Sequence, residues 1–351
     1  MMPKRLAYAV IRRVARSPLA LLQMTAGEEV RNDRGAVLDR QVQGLLRLIG
    51  SSRFAPHRGS VAHARRLFEF SSTTYCGPLL KHVAMTKRVL PGPDGTKIPV
   101  RIFRPQGLPS SAPILVYYHG GGFTIGSSKA YTRPCQVLAD QGRCVVVSVD
   151  YRLAPEHPYP APVNDVVAAY RWVQLHASEL GGRPGWVAVG GDSAGGNLAA
   201  VVCLMAREAG FPPPAAQVLI YPLVDQRHTQ PSRTRFGDGF LLTRELIDFF
   251  RRQYIPEGVD VCQAKLSPLL APSHEHLPPA VIVTAGFDPL RDEGEAYHHK
   301  LRAAGTASQL LAFETLIHGF VNLDGVVAQA THALETLGSA ISDCLAACEP
   351  R

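Results

Sequence analysis

No run of apolar residues reaches the roughly 18 needed to cross a membrane as a helix. There is no internal repeat and no low-complexity tract, so neither a solenoid nor an extended disordered chain is indicated. The seven cysteines (Cys76, Cys135, Cys144, Cys203, Cys262, Cys344 and Cys348) are scattered and odd in number. That excludes the cysteine framework of a small secreted domain, and no short-spaced set suggests zinc. Cys344 and Cys348 stand one helical turn apart, where geometry disfavours a bridge. The pattern suits a reducing compartment, with most thiols buried and the cytoplasm as the expected location. The one glycine-rich run, Gly120-Gly121-Gly122, lacks both the spacing of a dinucleotide loop and the Lys-Ser/Thr of a phosphate loop. With neither zinc-finger spacing nor an RNA-binding aromatic motif, the net charge of +8 reads as a solvated basic surface, and no nucleic-acid partner is expected.

The 351 residues include 46% hydrophobic and 19% charged side chains, ordinary for a globular chain with a sizeable core. Residues 1–20 carry Lys4, Arg5, Arg12, Arg13 and Arg16 without an acid, with Leu6, Val10 and Val14 at helical spacing. Such a segment can lie on a membrane surface or pack on the fold as an extra helix, so peripheral membrane contact through residues 1–24 stays open. The apolar run at 19–22 is short for a secretory signal, and no convincing small-residue cleavage site follows it.

Residues 1–80 read as helical and loop-rich, with an apolar face over 37–49. Thereafter short β-branched runs at 85–90, 98–104, 114–118, 144–149, 186–190, 218–221, 281–284 and 310–313 predict strands. Most are continuous apolar runs, as in a parallel sheet covered on both faces. The first two, joined by Pro91-Gly92-Pro93-Asp94-Gly95, predict an antiparallel hairpin. Helical patterns near 131–141, 162–180, 194–209, 293–304 and 326–348 alternate with the later strands, giving an α/β fold. About 60 residues separate Tyr221 from Val281, far more than an ordinary crossover, with a helix over 243–252 capped by Thr243. An insertion of this size suits a lid. The division expected is a helical segment at 1–80 contributing to a cap, a core at 81–225, a cap insertion at 226–266 and a second core portion at 267–351.

Gly191-Asp192-Ser193-Ala194-Gly195 follows an apolar strand and opens a helix, the context of a nucleophile elbow. The strained serine needs small neighbours, and the helix start offers free N–H groups and a positive dipole end. His119-Gly120-Gly121-Gly122-Phe123 follows another strand, and a glycine loop lets backbone donors approach a carbonyl that gains charge. Gly121, Gly122 and Ala194 are the candidate oxyanion donors. The base should be a histidine beyond Ser193. His298, His299 and His332 fall in helical patterns, and His274 and His276 precede a strand. His228 is a further downstream candidate. His318 follows the last strand and is the candidate. For the acid, Asp288 lies nearest the end of the seventh strand, and Pro289 disfavours helix there. Asp292 reads as a helix N-terminal residue.

Taken together, HGGGF at 119–123, YRLAPEHPYPAP at 151–162, GDSAGG at 191–196, DPLRDEGEAY at 288–297 and HGF at 318–320 resemble the bacterial hormone-sensitive lipase family of serine esterases over roughly residues 36–348. The resemblance implies an α/β-hydrolase fold with a mostly parallel eight-stranded sheet flanked by helices, and a helical cap made from the N-terminal helices and the insertion after the sixth strand. It also implies hydrolysis of short- to medium-chain carboxylic esters without a cofactor or metal, and a small-molecule ester as substrate. Family members are often dimers, which makes a homodimer an expectation. Carried over by position, Ser193, Asp288 and His318 match the triad, and Gly121, Gly122 and Ala194 the oxyanion donors. Residues 151–162 match a segment supporting the site, with Glu156 and, just beyond it, Asp165 as structural carboxylates. Phe123, Phe240, Leu241, Leu242, Phe320 and Val321 are candidates to line the acyl pocket, each with ordinary packing as its alternative. Amide hydrolysis or deacetylation by the same triad stays open. So does a non-catalytic receptor, although plant receptors resembling this family have lost the histidine present here at 318. Residues 1–35 extend beyond the usual family start.

Overall fold

The computed structural model describes residues 19–50 and 59–350. Eight strands form one sheet in the order β1-β2-β4-β3-β5-β6-β7-β8. They are β1 Val83–Pro91, β2 Lys97–Pro105, β3 Ala112–Tyr118, β4 Val145–Val149, β5 Gly182–Asp192, β6 Gln217–Ile220, β7 Ala280–Phe287 and β8 Ser308–Ile317. The hairpin expected from 91–95 pairs Val83 with Pro105, and β2 runs antiparallel to β4; from β4 through β8 every pairing is parallel. The edge strand β1 buries little beyond Val83 and Leu90, whereas β3, β4 and β7 are buried along their whole length. That contrast explains the apolar runs: an inner strand with both faces covered has no solvent side for a polar residue.

Side chains alternate across this sheet. Leu115 and Tyr117 of β3 face the core that takes in α4 (Thr132–Gln141) and α10 (Ala328–Ala347). Ile114, Val116 and Tyr118 face the opposite core, packed by α5 (Ala161–Leu175), α6 (Ala194–Ala209) and α9 (Arg291–Ala303). Burying each such side chain contributes roughly 1.5–3 kcal/mol, the main force holding the layers together.

The N-terminal part comprises α1 (Leu19–Met24), α2 (Arg40–Gly50) and α3 (Val61–Tyr75). The apolar face at 37–49 overstates α2. Asp39 Oδ1 accepts the N–H groups of Gln41 and Val42 and so starts the helix, while Val37 pairs with Arg31 in a β-bridge. Of the basic segment at 1–24, residues 1–18 lie outside the described residues, and 19–24 are α1. The pattern at 162–180 also breaks: α5 ends at Leu175, and a short 3-10 turn, Ala177–Leu180, follows. The insertion between β6 and β7 holds α7 (Pro231–Arg235) and α8 (Arg244–Tyr254), the latter capped by Thr243, whose hydroxyl accepts from Leu246 N–H.

All seven cysteines are unbridged. Cys135, Cys144 and Cys203 are buried, Cys262 is exposed, and the other three are half-buried, so the expectation that most thiols are interior holds for three. Among the described residues no helix is long and apolar enough to cross a membrane.

Candidate active site

The turn between β5 and α6 carries Ser193 at φ 54°, ψ −118°, a conformation that a residue with a side chain adopts only under constraint. Ser193 N–H is held by Ile220 O at 2.9 Å. The glycines on either side are dictated by crowding: a Cβ at Gly195 would lie 1.8 Å from Tyr118 O, and one at Gly191 2.4 Å from the same atom. The hydroxyl meets His318, which follows β8. Its Nε2 lies 2.9 Å from Ser193 Oγ, and its Nδ1 lies 2.8 Å from Asp288 Oδ2. Asp288 is fully buried directly after β7, and its other oxygen accepts Leu290 N–H at 2.8 Å. The Tyr221 ring packs against the imidazole, with centroids 4.5 Å apart. Asp292, the other acid considered, accepts from Ser232 N–H at the start of α9 and does not reach the imidazole. The histidines set aside stand elsewhere: His274 bonds to Pro268 O, His298 to Ser308, and His228 faces Asp248.

Gly121 and Gly122 have φ of 117° and 57°. A Cβ on Gly121 would lie 2.2 Å from Ile125 O, and one on Gly122 2.2 Å from the Phe250 ring, so only glycine fits this loop. No carbonyl among the described residues accepts from the N–H of Gly121 or Gly122. Ala194 opens α6, so its N–H has no partner one turn back within the helix.

One residue of this arrangement escaped the sequence reading. Asp192, the variable residue of the elbow, is buried, and its carboxylate accepts Gly120 N–H at 2.8 Å and the hydroxyls of Tyr117 and Tyr131, each at 2.9 Å. It thus ties the serine turn to the glycine loop. Burial pushes its carboxyl above the ordinary range, against the pull of these donors. The available signal was an acid at the end of an apolar strand, which must find partners if buried. Tyr151 adds a bond from its hydroxyl to His119 O at 2.6 Å. Glu156 pairs with Arg65 and Asp165 with Arg152, away from Ser193.

A mainly apolar cavity of about 320 Å³ opens over Ser193 and His318. Leu45, Ile49, Phe68 and Tyr75 of α2 and α3 form one wall, and Leu246, Ile247 and Phe250 of α8 another. Phe123, Phe240, Leu241 and Leu242 line it. Phe320 and Val321 do not. Gly319, at φ 81°, turns the chain inward after His318, and Phe320 packs edge-on against Tyr221 and Phe313 in the core. Among the described residues no group of three His, Cys, Asp or Glu side chains could hold a metal ion.

A family model for the α/β-hydrolase fold matches residues 115–322. The carboxylic ester hydrolase LipN of Mycobacterium tuberculosis is 47% identical over 312 residues, covering 86% of this chain and 81% of that protein. The ethyl acetate hydrolase of Pseudomonas putida is 33% identical over 316 residues, covering 88% and 99%. Among solved structures, an ester hydrolase from the metagenome of Lake Arreo, in complex with a bipyridine phosphonate derivative, superposes with a TM-score of 0.85 at 38% identity, covering 87% of this chain and 98% of that one. The chain belongs to the hormone-sensitive-lipase-like family of α/β hydrolases.

Proposed function

We propose that this protein is a serine carboxylesterase that cleaves short- to medium-chain carboxylic esters through Ser193, His318 and Asp288. The observation that carries the reading is the 2.9 Å contact of Ser193 Oγ with His318 Nε2, beside unpaired N–H groups and an apolar cavity. Relatives that are ester hydrolases over most of their length support the same reaction class.

In the first half-reaction His318 Nε2 takes the hydroxyl proton as Ser193 Oγ attacks the ester carbonyl. Asp288 holds the Nδ1 proton and stabilises the imidazolium that forms. The N–H groups of Gly121, Gly122 and Ala194 receive the oxyanion, each such donor being worth about 3 kcal/mol in the transition state. The imidazolium then gives its proton to the leaving alcohol oxygen, and the C–O bond breaks to leave an acyl-serine. Water enters, the same nitrogen takes its proton, and collapse of the second tetrahedral species releases the acid. The helices at 40–50 and 61–75 and the insertion over 226–266 act as a cap that keeps bulk water from this chemistry.

Ser193→Ala is expected to abolish nearly all hydrolysis of p-nitrophenyl butyrate while leaving the fold intact by circular dichroism. Retained turnover in that variant rejects the assignment. A serine-directed phosphonate should label the parent protein at residue 193.

A further inference from the structure

The segment ahead of α2 carries a contact whose role the triad chemistry leaves open. Around the Arg31–Val37 bridge the chain folds back on itself: Asn32 N–H bonds to Ala36 O, and Asn32 Oδ1 accepts the N–H groups of Arg34 and Ala36. This presents Asp33 to the far end of the sequence. Its carboxylate receives both terminal nitrogens of Arg291, at 2.7 and 2.9 Å, and also contacts Arg235 of α7. The Arg291 hydrogen bonds hold the Asp33 carboxyl well below the usual carboxylate range.

Arg291 sits at the turn that bears Asp288. Its N–H bonds to Asp288 O at 3.1 Å. The guanidinium is 3% exposed, lies over the Phe236 ring at 5.1 Å, and donates from Nε to Asp292 Oδ1. Asp292 in turn accepts Ser232 N–H, and Ser232 Oγ donates to Pro289 O at 2.8 Å. The turn from 286 to 292 is therefore gripped on one side by α7 and on the other by Asp33. We propose that Asp33 is a positioning residue for the reaction: it clamps Arg291 and thereby fixes the turn that aims Asp288 at His318. The proposal rests on the triad reading above. Two arguments favour a positional role over a mere tether. A buried guanidinium that loses its bidentate acceptor must reorient to find another, and it already reaches a carbonyl beside this turn, Gly286 O at 3.3 Å. Catalytic geometry tolerates only about 0.5 Å of drift, so a small rotation of the turn is costly.

The neighbouring Arg34 supplies a control. It ties the same segment to Glu295 of α9 and Glu314 of β8 without touching the 286–292 turn. Asp33→Asn is expected to lower kcat for p-nitrophenyl butyrate about tenfold or more with KM within about twofold, and to shift or broaden the far-downfield proton resonance of the Asp288–His318 hydrogen bond. Asp33→Glu should restore part of the lost kcat. Arg34→Gln should leave kcat unchanged. An unaltered kcat and proton resonance in Asp33→Asn overturns the proposal, as does an equal loss in Arg34→Gln. If Asp33→Asn does not fold, Arg291→Lys carries the test, because it keeps the charge but not the paired contact; unchanged kcat there is equally decisive. Persistence of hydrolysis in Ser193→Ala would fail the triad reading instead, and is read separately.

Discussion

Asp192 shows how one side chain can join two halves of a site. Its two oxygens collect a backbone N–H, the hydroxyls of Tyr117 and Tyr131 and, at 3.5 Å, that of Tyr221, and the side chain is buried. Replacing it by alanine strands these donors, each unpaired buried group costing about 1–3 kcal/mol. Asp192→Ala is therefore expected to lose several kcal/mol in urea unfolding and most of its esterase activity. Asp192→Asn, which keeps the shape and an acceptor oxygen, should retain more of both. The serine turn, the glycine loop and the histidine turn could be read in the sequence, because each is a short motif fixed to a strand end. What Asp192 and Asp33 touch could not, since Tyr131 and Arg291 are distant in sequence and no local pattern encodes the meeting. Phe320 and Val321, pocket candidates by sequence, lie in the core because the left-handed turn at Gly319 sends the chain inward.

Among the elements, α8 bears most on the chemistry. Phe250 occupies the space that a side chain at Gly122 would need, and Tyr254 stacks on Phe123 with ring centroids 3.8 Å apart. The helix thus presses directly on the loop that offers the oxyanion donors. Phe250→Ala should cost about 3 kcal/mol of stability for the lost packing, and it should lower kcat as well as raise KM, because the loop beneath gains freedom. A change confined to KM would limit α8 to substrate contact. The existence of this helix and its threonine cap were legible from the sequence. Its seat on the glycine loop was not, because apolar periodicity marks the buried face without naming what buries it.

For the whole molecule, the strands and their alternation with helices followed from the sequence pattern, since inner strands must be apolar throughout; the order of the strands in the sheet did not. Charge placement across the layers did not. His228, in the insertion, shows the cost of such placement. Burial, with Arg233 and Arg251 nearby, pushes its pKa down to about 4 from the ordinary 6.5, and Nε2 is buried without a partner. The unfolded chain takes up this proton near pH 6.5, while the folded chain resists it until about pH 4. Stability is thus complete above pH 6.5 and falls as pH drops through that window, by up to about 3 kcal/mol. His228→Asn tolerates the residue's positive φ of 62° and should flatten the dependence of melting temperature on pH between 4 and 6.5. An unchanged profile would assign acid sensitivity to other groups.

The two cavity walls come from stretches far apart along the chain, at 45–49 with 68–75 and at 240–254, whereas the proton-transfer groups stand on strand ends. Arg65 of the first wall reaches the sheet side through Thr124 O and Ala154 O, at 2.8 and 2.9 Å. Side chains of the first wall can therefore change the shape offered to an ester while the proton-transfer groups on the strand ends keep their places.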